Sequence, residues 1–203
     1  MEINELDAIN TKVASYGANL LPVVKNRSNE EIKFLYDFGF RVFGENRIED
    51  YKLHYSMYKD VNYHFIAPVQ SRKLAEINEK FDYIHTIARL KEIDILNSKK
   101  TSSKILIQIN IDKDPKKSGI DQNQINSFYE YCIKKKITPS GIMTIPDISS
   151  EPKKVFSEMQ KINEKLKAYD GYKGELSMGM SNDYEIALDY GATLVRIGTK
   201  LFK

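Results

Sequence analysis

Apolar runs of β type recur eight times along this chain, and stretches with helical spacing separate them. The runs are Leu20–Val24, Phe40–Phe43, Tyr63–Ile66, Tyr83–Ile87, Ile105–Ile111, Gly141–Ile145, Glu175–Met178 and Leu194–Ile197. Between them Ile48, Tyr51, Tyr55 and Tyr58 step by three and four residues, as do Val155, Met159, Ile162 and Leu166. That spacing puts each set on one face of a helix. Strands that alternate with helices predict parallel βαβ units, and eight such units close into an α/β fold of the (β/α)8 TIM barrel type. Its usual lower size limit is roughly 200 residues, and this chain has 203. An open doubly wound sheet is the alternative that alternation alone leaves standing. Leu6, Ile9, Val13 and Tyr16 predict an extra amino-terminal helix before the first strand. Without a linker or low-complexity tract, residues 1–203 read as one domain.

Helix starts agree with this division. Ser28 with Glu31, Asp121 with Gln124, and Asn182 with Glu185 have the spacing of a capping box. The run Lys134-Lys135-Lys136 suits the carboxyl end of a helix, where positive charge meets the macrodipole. The lone cysteine, Cys132, excludes an internal disulfide and a cysteine zinc site. It falls on the stripe Ile125, Phe128, Tyr129 and predicts a buried helix face. Net charge is +3, too balanced to argue for nucleic acid. No apolar run reaches the roughly 18 residues of a membrane span, and the acidic start lacks a signal-peptide pattern. The expectation is a cytoplasmic protein with no nucleic-acid or membrane partner.

In a (β/α)8 barrel, ligand-contacting residues sit at the carboxyl ends of the strands. Lys25 follows the apolar Leu20-Leu21-Pro22-Val23-Val24. A lysine there is expected to be buried in the barrel mouth, where desolvation favours the neutral amine that attacks carbonyls. The other reading is a lysine that snorkels from a strand end. The string Ser177-Met178-Gly179-Met180-Ser181-Asn182 joins the seventh strand to a helix start, and Gly198-Thr199 follows the eighth. Small residues there let backbone N–H groups converge on an anion, as at the phosphate site of many barrels. Tight turns alone would also call for glycine. Only 6 of the 31 basic residues are arginine, and one, Arg196, ends the eighth strand facing the same mouth. It could meet a ligand or close a salt bridge inside the barrel. His64 and His85 read as satisfied barrel histidines, and His54 as peripheral on its tyrosine-bearing helix. No spacing of His, Asp or Glu supports a metal.

A carbonyl-seeking lysine beside a phosphate site fits two ligands: a sugar phosphate, as in a lysine aldolase, or pyridoxal 5'-phosphate, which carries an aldehyde and a phosphate. In order, the chain contains Val23-Val24-Lys25, Phe43-Gly44-Glu45-Asn46, His64-Phe65-Ile66 with Gln70-Ser71 and Lys73, and Ile107-Gln108-Ile109-Asn110. There follow Lys117-Ser118-Gly119-Ile120, Gly141-Ile142-Met143-Thr144-Ile145-Pro146, Leu176 through Ser181 with Asp183, and Val195-Arg196-Ile197-Gly198-Thr199. Together these strings resemble the pyridoxal phosphate homeostasis proteins, barrels similar to the N-terminal domain of alanine racemase. The resemblance runs from about Leu20 to Phe202. It implies that Lys25 holds pyridoxal 5'-phosphate as a Schiff base. It also implies that Ser181, Gly198 and Thr199 contact the phosphate, that Arg196 faces the pyridine nitrogen, and that Asn46 lies near the ring. The chain departs from the family pattern at Tyr63, where tryptophan is usual, and at Ala67-Pro68-Val69.

The expected function is a non-enzymatic carrier or buffer of the cofactor, acting as a monomer with transient contacts to client enzymes. A pyridoxal phosphate-dependent amino-acid racemase is the alternative. A racemase needs an acid/base group on each face of its substrate. The chain ends at Lys203, soon after the Arg-Ile-Gly-Thr string, which predicts that no second domain supplies the opposite face.

Overall fold

The computed structural model describes residues 3–202. Helix α1 (Ile3–Ser15) precedes strand β1 (Asn19–Pro22), and strands and helices then alternate: α2 (Asn29–Phe38), β2 (Val42–Glu45), α3 (Ile48–Met57), β3 (Asn62–Phe65), α4 (Leu74–Lys80), β4 (Tyr83–Ile87) and α5 (Leu90–Lys99). The second half runs β5 (Lys104–Gln108), α6 (Ile125–Lys134), β6 (Gly141–Met143), α7 (Pro152–Leu166), β7 (Glu175–Ser177), α8 (Tyr184–Asp189) and β8 (Leu194–Ile197), ending in a 3-10 turn, Thr199–Phe202.

All eight strands are parallel; from β2 to β8 each pairs with its neighbour in sequence, and β8 also pairs with β1. This order excludes the doubly wound alternative, in which strand order reverses at a switch point. The sheet's two outer strands, β1 and β2, meet through one isolated bridge, Val23 to Gly44, where the Val24 N–H donates to the Gly44 carbonyl at 3.1 Å. The fold is therefore a nearly closed (β/α)8 barrel. Pro22 is tolerated in β1 because of this seam. Asn19 and Val23 donate toward β8, so the position between them that lacks an N–H faces the sparsely paired side.

The core lies between sheet and helices. Leu6, Ile9 and Val13 of α1 are buried as their spacing predicts, but Tyr16 falls beyond the helix end, exposed, with its hydroxyl donating to Asp189 at 2.9 Å. Cys132 is fully buried on α6 with Ile125, Phe128 and Tyr129, and burial pushes its thiol up to about 12. The capping boxes at Ser28 and Asp121 both form.

Two expectations fail for local reasons. The second strand starts at Val42 rather than Phe40, because Gly39 ends α2 in a left-handed conformation and the Phe40 N–H donates back to Leu35. The chain enters the sheet only after that cap. Asn182 does not cap α8. The helix starts one residue later, behind Asp183, whose carboxylate accepts the Met180 N–H at 2.6 Å.

Candidate functional site

The chain is buried from Leu20 through Val24, and Lys25 is the first exposed residue after this run. Asn26 then takes a left-handed conformation, φ 56°, which turns the chain away immediately. The Lys25 amine is thus presented at the rim of the mouth rather than enclosed. Burial, the reason sequence offers for an activated amine, does not apply to it. Arg27 braces this turn by stacking on the Phe202 ring at 4.2 Å and pairing with Glu31 at 3.3 Å.

The loops after β7 and β8 meet beside it. Gly179 sits at φ +90°, and a Cβ there would lie 2.6 Å from that of Ala187, so only glycine lets the loop pack on α8. The Ser181 hydroxyl oxygen accepts the Lys200 N–H at 3.4 Å and joins the two loops. The backbone N–H groups of Ser181, Asn182, Gly198 and Thr199 donate to nothing among the described residues. A Cβ on Gly198 would come within 3.3 Å of the Val23 carbonyl. Unpaired backbone donors beside a glycine that keeps the backbone open to close approach are the parts of an anion site.

Arg196 of β8 is 4% exposed. Its guanidinium donates to Ser177 Oγ at 2.6 Å and to the Thr144 carbonyl at 2.9 Å. It makes no ion pair among the described residues, so a salt bridge does not account for it. Burial brings its pKa down to about 10, opposed in part by Asp183. The Asp183 carboxyl is itself raised by burial, with the Met180 N–H pulling it back.

Asn46 lies half-buried just after β2. It follows Glu45, which is fully buried and paired with His54 Nδ1 on α3. His54 is 4% exposed, so the expectation that it is peripheral is wrong. The stripe that α3 buries is Ile48, Tyr51 and His54, with Tyr55 left at the surface. Burial raises the Glu45 carboxyl and His54 opposes the shift, while its second oxygen, Oε2, is sealed without a partner. The pair ties α3 to the end of β2 and so fixes the backbone that carries Asn46.

Lys25, Asn46, Ser181, Arg196, Gly198 and Thr199 all line one cavity of about 670 Å³ at the carboxyl end of the barrel. Sequence reasoning missed Asp147. Asp147 lines the same mouth and pairs with Lys117 at 3.4 Å. The Ser149 hydroxyl and N–H, and then Lys117, hold its carboxyl down to about 2. Among the described residues no cluster of His, Cys, Asp and Glu could hold a metal, and no helix is long and apolar enough to cross a membrane. An accessible primary amine, four unpaired N–H donors and a guanidinium in one cavity fit a small carbonyl compound that bears an anionic group.

The family model for the alanine racemase N-terminal domain matches residues 4–203. A pyridoxal phosphate homeostasis protein of Pasteurella multocida is 36% identical over 203 residues, covering 90% of this chain and 84% of the relative. One from Aquifex aeolicus is 32% identical, covering 91% and 86%. Among solved structures, PipY of Synechococcus elongatus without PLP superposes with a TM-score of 0.89 at 25% identity, covering 98% of this chain and 99% of PipY. The same protein with PLP bound gives 0.82 at 24% identity, covering 98% and 99%.

Proposed function

The chain belongs to the pyridoxal phosphate homeostasis proteins, within the alanine racemase N-terminal domain family, and from that premise we propose that it carries or buffers the cofactor at the mouth of its barrel. The observation that carries the reading is the single cavity in which the Lys25 amine, the unpaired N–H groups of Ser181, Gly198 and Thr199, and the Arg196 guanidinium are gathered. Pyridoxal phosphate brings an aldehyde for an amine, a phosphate for backbone donors, and a ring nitrogen for a donor or acceptor.

In this reading Lys25 is the amine of a reversible covalent link to the aldehyde. Its exposed position leaves the link open to water and to competing amines, which suits loading and release. Ser181, Gly198 and Thr199 hold the phosphate through N–H donors, and the Ser181 hydroxyl adds one more. Arg196 offers the ring nitrogen only N–H, because a guanidinium has no acceptor. Asn46 borders the ring. Together these form one binding domain spanning residues 1–203.

The reading is a binding protein rather than an enzyme. The curated relatives are named for homeostasis of the cofactor and not for a reaction. One further feature supports it. A ring nitrogen held by arginine stays unprotonated and draws electrons from a substrate less strongly. A cytoplasmic monomer that meets client enzymes transiently completes the proposal. The test incubates the loaded protein with an apo-enzyme that requires pyridoxal phosphate and follows recovery of the client's activity. A panel of amino acids is followed in parallel for chirality and deuterium exchange at Cα. Transfer without turnover is expected. Multiple-turnover racemisation that disappears in Lys25→Ala would establish the enzyme reading instead.

A further inference from the structure

A second cavity, of about 570 Å³, opens at the opposite, amino-terminal end of the barrel. The first residues of several strands line it, including Asn19, Tyr83, Glu175 and Leu194. It lies where β1 and β2 run unpaired below the Val23–Gly44 bridge. Its size is that of an ordinary small-molecule site.

The polar groups of this cavity are set by a hydrogen-bond chain through the barrel. Arg196 donates to Ser177 Oγ, Ser177 lies 3.1 Å from His85 Nδ1, and His85 Nε2 lies 2.9 Å from His64 Nδ1. Both rings are neutral, since burial holds His64 down to about 3 and His85 well below its ordinary value. Direction follows from counting protons. Arginine can only donate, so the Ser177 oxygen accepts from it. The serine proton then has one acceptor within reach, His85 Nδ1. His85 must carry its proton on Nε2 and give it to His64 Nδ1. His64 is left with its proton on Nε2. That atom makes no hydrogen bond among the described residues, yet it is not one of the sealed unpartnered atoms. His64 is 6% exposed and lines the cavity, so its free N–H opens into it.

The acceptor in the same space is Glu175. Its Oε1 receives the Tyr83 hydroxyl at 3.0 Å, and its Oε2 has no partner among the described residues. The Tyr83 ring stacks on His64 with centroids 4.3 Å apart while its hydroxyl reaches Glu175, so one aromatic residue touches both the donor and the acceptor. Leu20, Phe40 and Leu106 supply apolar wall.

We propose that this cavity is a second small-molecule site, distinct from the mouth, for an uncharged aromatic compound whose edge carries an acceptor and a donor side by side, as a carboxamide does. Its carbonyl accepts from His64 Nε2, its N–H₂ donates to Glu175, and its ring lies against the apolar wall. A carboxylate of the same shape lacks the donor and sets like charge against Glu175.

Benzamide and benzoate are the probes, titrated by NMR into the full-length protein, first as purified and then loaded with pyridoxal phosphate so that the mouth is filled. Saturable benzamide binding is expected in both forms, with benzoate at least tenfold weaker and the His64 ring resonances shifting on titration. Ala14, an exposed α1 residue on the cavity wall, provides a variant away from the core. Ala14→Trp fills the entrance, and His64→Phe keeps a ring but removes the donor. Each is expected to weaken benzamide at least tenfold. Absence of saturable benzamide binding, equal affinity for benzoate, or unchanged affinity in either variant would overturn the proposal. Failure of the protein to load pyridoxal phosphate would count against the mouth reading alone, because the purified form tests this site independently.

Discussion

Arg196 donates to Ser177 Oγ at 2.6 Å, and through that serine the mouth of the barrel is joined to two neutral histidines in its interior. The contact explains how a guanidinium comes to lie 4% exposed without an ion pair among the described residues. Donors that point inward are used on Ser177 and the Thr144 carbonyl, and the remaining ones are free for the mouth.

Lys25 should carry the covalent link. Borohydride reduction of the loaded protein followed by peptide mapping is expected to place the label on Lys25, and Lys25→Ala should lose both the label and the visible absorbance. A label found only on Lys73 or Lys200 would remove Lys25 from this role.

The loops after β7 and β8 should read the phosphate. Ser181→Ala is expected to weaken binding by about 1–2 kcal/mol, the order of a single hydrogen bond. Gly198→Val should cost more, because a Cβ there already crowds the Val23 carbonyl at 3.3 Å. The comparison of pyridoxal with pyridoxal phosphate checks the origin of the loss. Both variants should narrow the preference for the phosphorylated form, and equal binding of the two ligands by the wild type would refute the cradle.

Gly179→Ala should destabilise the fold rather than only the site. Its φ of +90° strains any side chain by about 1–3 kcal/mol, and the contact with Ala187 adds to that. Urea denaturation measures the difference. A variant as stable as the wild type would mean that the loop can rearrange freely.

Stability should fall in acid through His64 and His85. Their folded pKa values lie below the ordinary histidine value, so below about pH 6.5 the unfolded chain binds more protons than the folded one. The stabilisation is complete above pH 6.5 and is lost as pH falls toward the folded value of about 3 for His64. At about 1.4 kcal/mol per pKa unit, a few kcal/mol disappear across that window. Denaturant midpoints at pH 7, 5.5 and 4 should show the slope, and His64→Phe should flatten it. An unchanged slope in that variant would remove His64 as a source of the acid sensitivity.

Much of this was legible in the sequence because it depends on neighbours in the chain. Strand and helix alternation is a local pattern, and so are the glycine-bearing turns and the lysine after an apolar run. What sequence missed is set by distance along the chain. His64 and His85 are 21 residues apart and Ser177 lies 92 beyond His85, so only closure of the barrel brings them into line. His54 was misplaced because helical spacing fits Tyr55 equally well; the buried carboxylate of Glu45 decides which of the two turns inward. The exposure of Lys25 depends on the left-handed turn at Asn26, a residue type that tolerates such a turn without announcing it.

The isolated bridge between Val23 and Gly44 makes this barrel a rolled sheet held by one stitch, placed two residues before Lys25 on the β1 side. Breathing of the barrel wall is therefore cheapest along that line, since parting β1 from β2 sacrifices few backbone bonds, whereas parting other neighbours breaks a ladder. The Val24 amide becomes a gauge of such opening, its hydrogen exchange reporting how often the wall beside the lysine comes undone.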